Sequence, residues 1–333
     1  MKLSTLGEFG FINRIAQPFL KNLPPSIIGI GDDCAVLPWK EDASLLVTTD
    51  MLIEDIHFLR AQISPRDLGY KSLAVNLSDI AAMGGIPEST YISLGIPYDV
   101  DVEWLDEFYA GLHELAEAEH ILVLGGDTTK SPTHVVITIM VLGKANPGLI
   151  KYRSAAKQGD IICVTDTVGD SGCGLRYLIE KKPLDDDGVY LINRHHRPRA
   201  QLDEGSWLAL REGVHAMMDV SDGIDSDVHR IMERSHCGAE IHIEHLPLSK
   251  QLTRASKRYG WQATEIAVAG GEDYCLLTTI APEQYSIISE EFKKKFNRPL
   301  TNIGFIKGKE TGLRYTENGK QIVLHQHGFD HFI

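Results

Sequence analysis

Ile121–Thr129 reads ILVLGGDTT, and the fold of the chain follows from this stretch. Its first four residues form a short apolar run rich in β-branched side chains, the pattern of a buried strand. Gly125 and Gly126 then allow a close backbone approach, and Asp127 stands at a strand end, where α/β proteins place their sites. Upstream, Val102–Glu119 sets Leu105, Phe108, Leu112 and Leu115 on one helical face. Downstream, His134–Leu142 reads as a second buried strand. Further upstream, Ile27–Leu37, Leu45–Thr49 and Thr90–Gly95 read as strands. Pro65–Met83 reads as a helix, with Leu68, Ser72, Val75 and Asp79 recurring at spacings of three and four.

The alternation stops at Lys144-Ala145-Asn146-Pro147-Gly148, a turn-forming cluster that marks a domain boundary. Beyond it, strands are expected at Ile161–Thr165, His215–Val220, Ala239–Ile243, Tyr274–Ile280, Ile303–Ile306 and Gly312–Leu324. The last is folded at Asn318-Gly319, a hairpin signal. Helices are expected between Gly172 and Leu210 and over Ile224–Arg234, Lys250–Tyr259 and Pro282–Phe296. The fold class is therefore mixed α/β, in two domains, 1–147 and 148–333, a division that suits 333 residues.

Hydrophobic residues make up 43% and charged residues 24% of the chain, a globular composition. The longest apolar stretch, near Val135–Leu142, falls far short of the ~20 residues that span a bilayer. Glu8 and Arg14 interrupt the N-terminal segment, so no signal-peptide core forms, and a cytoplasmic protein without membrane contact is expected. Cys34, Cys163, Cys173, Cys237 and Cys275 are scattered without a C-x-x-C pair and read as buried thiols, not disulfides or zinc ligands. A net charge of −13 argues against nucleic-acid binding, and the basic run Arg194–Arg199 reads as a solvated helix end or an interface.

There is no Walker A loop, dinucleotide fingerprint or protein-kinase catalytic loop. Acids recur instead at strand ends and helix starts: Asp32 and Asp33, Asp50, Asp79, Asp127, Asp219 and Asp222. An Asp after a strand is more simply a helix cap, a reading that serves Asp222 and Asp101. Gathered in one site, so many carboxylates repel. Either they are dispersed over the surface, or divalent cations with oxygen ligands hold them together and let them meet a polyphosphate.

The blocks GIGDDCAV (29–36), TTD (48–50) with His57, NLSDIAAMG (76–84), GGDTT (125–129), DVSDG (219–223), GGEDY (270–274) and GFDHF (328–332) run almost the length of the chain. Their identity and order resemble the thiamine-monophosphate kinase family, within the wider group related to aminoimidazole ribonucleotide synthetase. The resemblance implies transfer of a phosphoryl group from ATP to thiamine monophosphate, with several Mg²⁺ ions. It also implies a homodimer formed by the N-terminal domain and a C-terminal domain that closes over the site. Carried over by motif, Asp33, Thr48, Thr49, Asp50, Asp79, Asp127, Asp219 and Asp222 are the expected metal ligands, and Asp50, Asp79 and Asp127 the catalytic core. Gly126, Asp127, Arg153, Ser221 and Tyr109 are the expected ATP contacts; His57, Glu272 and Phe329 are those for the acceptor.

Competing readings are weaker. His325, His327 and His331 do not have zinc-site spacing. A selenophosphate synthetase would carry a reactive Cys near its N-terminus, whereas the first cysteine here is Cys34, after the acidic pair. A non-catalytic, metal-dependent binder of thiamine phosphates or nucleotides is disfavoured by the retention of all the metal acids together with Arg153.

Overall fold

The computed structural model describes residues 3–21, 23–40, 42–324 and 328. After α1 (Leu3–Leu20, broken at Gly7) come β1 (Ala35–Lys40), β2 (Ala43–Ile53), α2 (Pro65–Ala82), β3 (Ile86–Ile96), α3 (Val102–Ala118), β4 (Leu122–Lys130) and β5 (Val136–Ala145). The strands form a five-stranded sheet in the order β1-β2-β5-β3-β4, antiparallel except for β3 with β4. One face is covered by α2 and α3 through a core that includes Leu46, Ile92, Ile139, Leu77 and Leu112. These helices touch backbone to backbone. A Cβ on Gly69 would lie 1.8 Å from the Phe108 carbonyl oxygen, and one on Gly111 would lie 1.7 Å from that of Arg66.

Start signals in the sequence explain several boundaries. Ser64 caps α2 by accepting the Asp67 N–H at 3.0 Å, with Pro65 in the first turn where its missing N–H costs nothing. Ser249 caps α8 (Lys250–Tyr259) in the same way, and Gly260 ends it in the left-handed region.

The second half contributes β6 (Ile161–Val164), α4 (Asp170–Ile179), α5 (Asp186–His196), α6 (Leu202–Ala209), β7 (Val214–Asp219), α7 (Ile224–Ser235) and β8 (Gly238–His242) before α8. After it come α9 (Ala263–Ala269), β9 (Leu276–Ile280), α10 (Pro282–Phe296), β10 (Thr301–Lys307), β11 (Leu313–Glu317) and β12 (Lys320–Ile322). Its seven-stranded sheet runs β12-β11-β8-β10-β6-β9-β7, with only β11 and β8 parallel. Alternate residues of β6 and β7 divide between two cores. Ile162, Val164, Ala216 and Met218 pack with Ile224, Val228 and Ile231 of α7 and Ala267 and Val268 of α9. Ile161, Cys163, Val214 and Met217 pack with Trp207 of α6, Phe292 of α10 and, from the first half, Ala81 and Ala82 of α2. Thus α2 is shared by both halves, and it is buried on nearly every side.

Four expectations are corrected. Of Ile27–Leu37, only the C-terminal part is strand; Ile28 meets Val36 in an isolated bridge and the glycine-acid stretch between them is a loop. Helix α9 has no clear periodicity in its seven residues and was not expected. Strand β4 is exposed along its whole length, because it is the sheet edge. Of the two readings of Arg194–Arg199, the solvated helix end fails and the interface holds: His195 and His196 are buried, and Arg197 bonds Asp67 at 2.9 Å and also Glu114, joining the two halves. The five cysteines are all buried and free, as expected. Among the described residues no helix is long and apolar enough to cross a membrane.

Candidate functional site

Helix α2 carries polar side chains inside the protein; Ser72 bonds the Leu68 carbonyl of its own helix, while Lys71, Asn76, Ser78 and Asp79 meet partners from other elements. Asn76 accepts the Asp50 N–H of β2 at 3.0 Å and donates to the Ser72 carbonyl. Asp79 accepts a short hydrogen bond from the Thr48 hydroxyl of β2. Ser78 donates to Asp219, at the end of β7, at 2.6 Å. Carboxylate oxygens of Asp33, Asp79 and Asp219 thereby come within 4.8 Å of one another.

Asp79 and Asp219 of this cluster, and Asp50 beside it, resist ionisation. Burial, reinforced by Asp33, pushes the Asp219 carboxyl up to about 8. Burial and then Asp222 raise Asp50 to about 6. Asp79 lies well above the usual carboxylate range, through burial and then the charges of Asp50, Asp219 and Asp33. Asp227, behind Asp222, is raised by burial and by Asp222 and Asp219. Each like-charge pair at ~4 Å costs ~4 kcal/mol at an effective dielectric near 20. The donor set, carboxylates with a hydroxyl and neither sulfur nor imidazole, fits a hard divalent cation such as Mg²⁺.

Arg153 supplies a positive charge at the rim of the cluster. It begins a 3₁₀ turn, and its Nε and Nη2 donate to the two oxygens of Asp33 at 3.0 and 2.6 Å. Its backbone N–H donates to Asp32, whose carboxyl burial and Asp33 raise to about 7.

The loop 270–274 lies against 219–223. Glu272 N–H donates to the Ser221 carbonyl at 2.7 Å and Tyr274 N–H to that of Val220 at 2.9 Å. Both Glu272 (φ 63°) and Tyr274 (φ 50°) are left-handed, a strain of about 1–3 kcal/mol each that surrounding contacts must hold. Burial alone would raise the Glu272 carboxyl. The Lys71 ammonium and then His195 hold it well below the usual range instead.

Asp127 is not in this cluster. Asp50 pairs with Ile139, Ile139 with Ile92 and Ile92 with Gly126, so the row from Asp50 to Gly126 crosses three strand spacings, ~14 Å. Asp127 itself pairs with Ser93, an exposed residue in the next row, on the opposite face of the sheet. The expected core of Asp50, Asp79 and Asp127 does not assemble within one chain, because β5 and β3 stand between β2 and β4. Thr49 likewise alternates to the exposed face. Tyr109, Gly126 and Asp127 share a separate recess of about 390 Å³ along β4, which Arg153 and Ser221 do not line. A Cβ at Gly126 would meet the Ile92 carbonyl oxygen at 1.6 Å. Gly126→Ala is therefore expected to destabilise the protein by at least about 2 kcal/mol, as measured by denaturant melts; an unchanged midpoint would contradict this close approach.

His57 lies on the turn after β2, its Nδ1 accepting the Ile53 N–H at 3.0 Å. Phe329, with His325, His327 and His331, lies outside the described residues. Sequence reading assigned no role to Lys71, His195, Ser78 or Asp227. A lysine and two serines on the inward faces of an otherwise buried helix were the available signal.

The model of the AIR synthase related protein N-terminal domain matches residues 31–145, and that of the corresponding C-terminal domain matches residues 157–292. The chain is 39% identical over 331 residues to thiamine-monophosphate kinase of Haemophilus influenzae, covering 98% of each chain. It is also 39% identical to the Escherichia coli K12 enzyme over 328 residues, again 98% of each. A solved structure described as AaThiL complexed with AMPPCP and TMP superposes with a TM-score of 0.85 at 34% identity, over 99% of both chains. The HypE–HypF complex, with a TM-score of 0.74 at 18% identity, shares the fold alone. The chain belongs to the thiamine-monophosphate kinase family.

Proposed function

We propose that this protein transfers the γ-phosphoryl group of ATP to thiamine monophosphate, giving thiamine diphosphate and ADP. The observation that carries the reading is the buried acid cluster of Asp33, Asp79 and Asp219 between the two halves, next to a charged Glu272. Asp33, Thr48, Asp50, Asp79, Asp219 and Asp222 would hold Mg²⁺, which supplies charge neutralisation between two anionic substrates. Arg153, released from Asp33, is suited to a nucleotide phosphate, and Ser221 lies beside the acceptor residue Glu272.

The transfer is direct. An acceptor phosphate oxygen forms the new bond to the γ-phosphorus as the bond to the β,γ-bridging oxygen breaks and ADP leaves. That oxygen is already anionic near neutral pH, so no strong base is needed. A cysteine phosphoenzyme is disfavoured, because burial raises every thiol and pushes Cys173 up to about 12. ADP release is expected to require both Mg²⁺ and thiamine monophosphate. Turnover with aminoimidazole precursors or selenide instead would overturn the reading, and stable ³²P labelling of the protein by γ-labelled ATP alone would overturn the direct step.

The working unit in this reading is a homodimer joined through the first half, residues 1–147. The face of the first sheet away from α2 exposes Met51 (52%), Tyr91 and Met140, and the edge strand exposes Leu122, Val123 and Leu124. An apolar face and edge of this kind call for a partner. A second copy also accounts for the place of Asp127 and the recess beside it, since a seam between copies lets one chain's β4 serve the other chain's acids.

A further inference from the structure

Lys71 is fully buried, at 0% exposure, and belongs to none of the motifs assigned a role above. Its ammonium meets one partner among the described residues, Glu272 Oε2, at 3.0 Å and across 201 residues of sequence. The same oxygen lies 3.1 Å from His195 Nδ1, which is also 3.0 Å from the Ser171 hydroxyl. A lysine is rarely buried without a compensating charge, so Lys71 and Glu272 stand or fall together. Both contacts fall on Oε2. Among the described residues no hydrogen bond reaches Oε1, and the Glu272 side chain keeps 23% exposure. One oxygen is thus tied down by donors and the other is left to face a ligand. The left-handed backbone of Glu272, pinned to Ser221, fixes the direction in which that oxygen points.

We propose that Lys71 and His195 are positioning residues that present Glu272 as an oriented carboxylate, and so select an acceptor whose organic part is positively charged. This deepens the reading above and rests on it. The interaction is of the cation-to-carboxylate kind, and Lys71 acts on the acceptor only through Glu272. Because α2 also carries Asp79, the same helix sets the acceptor-recognising carboxylate and the acid cluster at a fixed separation. His195 is kept neutral by burial and then by the Lys71 charge, so it serves Glu272 as a hydrogen-bond donor and not as a second cation.

The test uses the full-length protein with two acceptors: thiamine monophosphate, and its thiophene isostere, which lacks the ring charge. The wild-type protein is expected to favour the charged acceptor in kcat/KM by about tenfold or more, the scale of one charge-assisted hydrogen bond. Lys71→Met should raise the KM for thiamine monophosphate by about tenfold or more, leave the KM for ATP within about twofold, and abolish the preference between acceptors. Lys71→Arg should restore part of that preference, and His195→Gln, a milder change, should weaken it. A merely structural ion pair would alter stability and both substrates together and leave the preference intact. An intact preference in soluble, folded Lys71→Met or in His195→Gln would overturn the inference while the kinase reading stands. If Lys71→Met does not fold, the His195→Gln result decides. A wild-type protein that neither binds thiamine monophosphate calorimetrically nor turns it over would instead overturn the kinase reading, and this inference with it.

Discussion

Asp79→Asn is expected to lower kcat at least ~100-fold, a loss of about 2.7 kcal/mol of transition-state stabilisation, and to move the Mg²⁺ midpoint upward. The side chain keeps its volume and its hydrogen bond from Thr48 but loses a charged oxygen at the point where Asp33 and Asp219 converge. Asp127→Asn is expected to be equally damaging, although the strand of Asp127 lies three strand spacings, ~14 Å, from that of Asp50 within its own chain. The two variants then differ in a way that can be measured. If each site takes Asp79 from one chain and Asp127 from the other, a mixed dimer has one doubly damaged site and one intact site. Co-refolding the two inactive variants in equal amounts should restore about a quarter of wild-type turnover, since half of the random dimers are mixed and half of their sites are intact. No recovery, with mixed dimers confirmed by differently tagged chains, would show that Asp127 serves its own chain or none.

Without divalent metal, the protein should lose stability as pH rises from about 5 to 8.5. Asp50, Asp79 and Asp219 titrate above the ordinary carboxylate value of about 3.9, with Asp50 near 6 and Asp219 near 8. In that window the folded protein holds protons that the unfolded chain has released. Stability is therefore full below the unfolded value and declines as pH climbs through the folded ones. Mg²⁺ competes with those protons, so its stabilising effect should grow with pH. Melting curves in EDTA and in saturating Mg²⁺ at pH 5.5, 7 and 8.5 measure both slopes. Asp219→Asn should flatten the metal-free slope and raise the metal-free Tm at pH 8.5 by several degrees, about 2–4 °C per kcal/mol of relieved repulsion. A metal-free Tm that rises with pH, or a constant gap between the two curves, would contradict the raised carboxyls.

The sequence by itself determined the features whose causes are local. A serine cap and a proline start α2 at Pro65, while α8 and α10 fall where their caps and periodicity put them. Asn318 and Gly319 turn the last hairpin in the left-handed region that this pair accepts. The acid blocks were legible for the same reason: glycines and aspartates at strand ends are a pattern of adjacent residues. Only the tertiary structure decided which acids share a space. Asp33, Asp79 and Asp219 meet because α2 is clasped between two sheets, whereas Asp127 is held apart by the two strands intervening between β2 and β4. Strand order and pairing register are set by contacts between distant segments, and a shift of one residue turns a side chain to the other face. The exposure of β4 has the same origin, since its apolar residues read as a buried strand until its position at the sheet edge is known. Lys71, His195 and Glu272 show the limit most clearly. Their ion pair and hydrogen bond join residues more than 70 positions apart, and burial, which no single stretch of sequence encodes, is what makes each of them depend on the others.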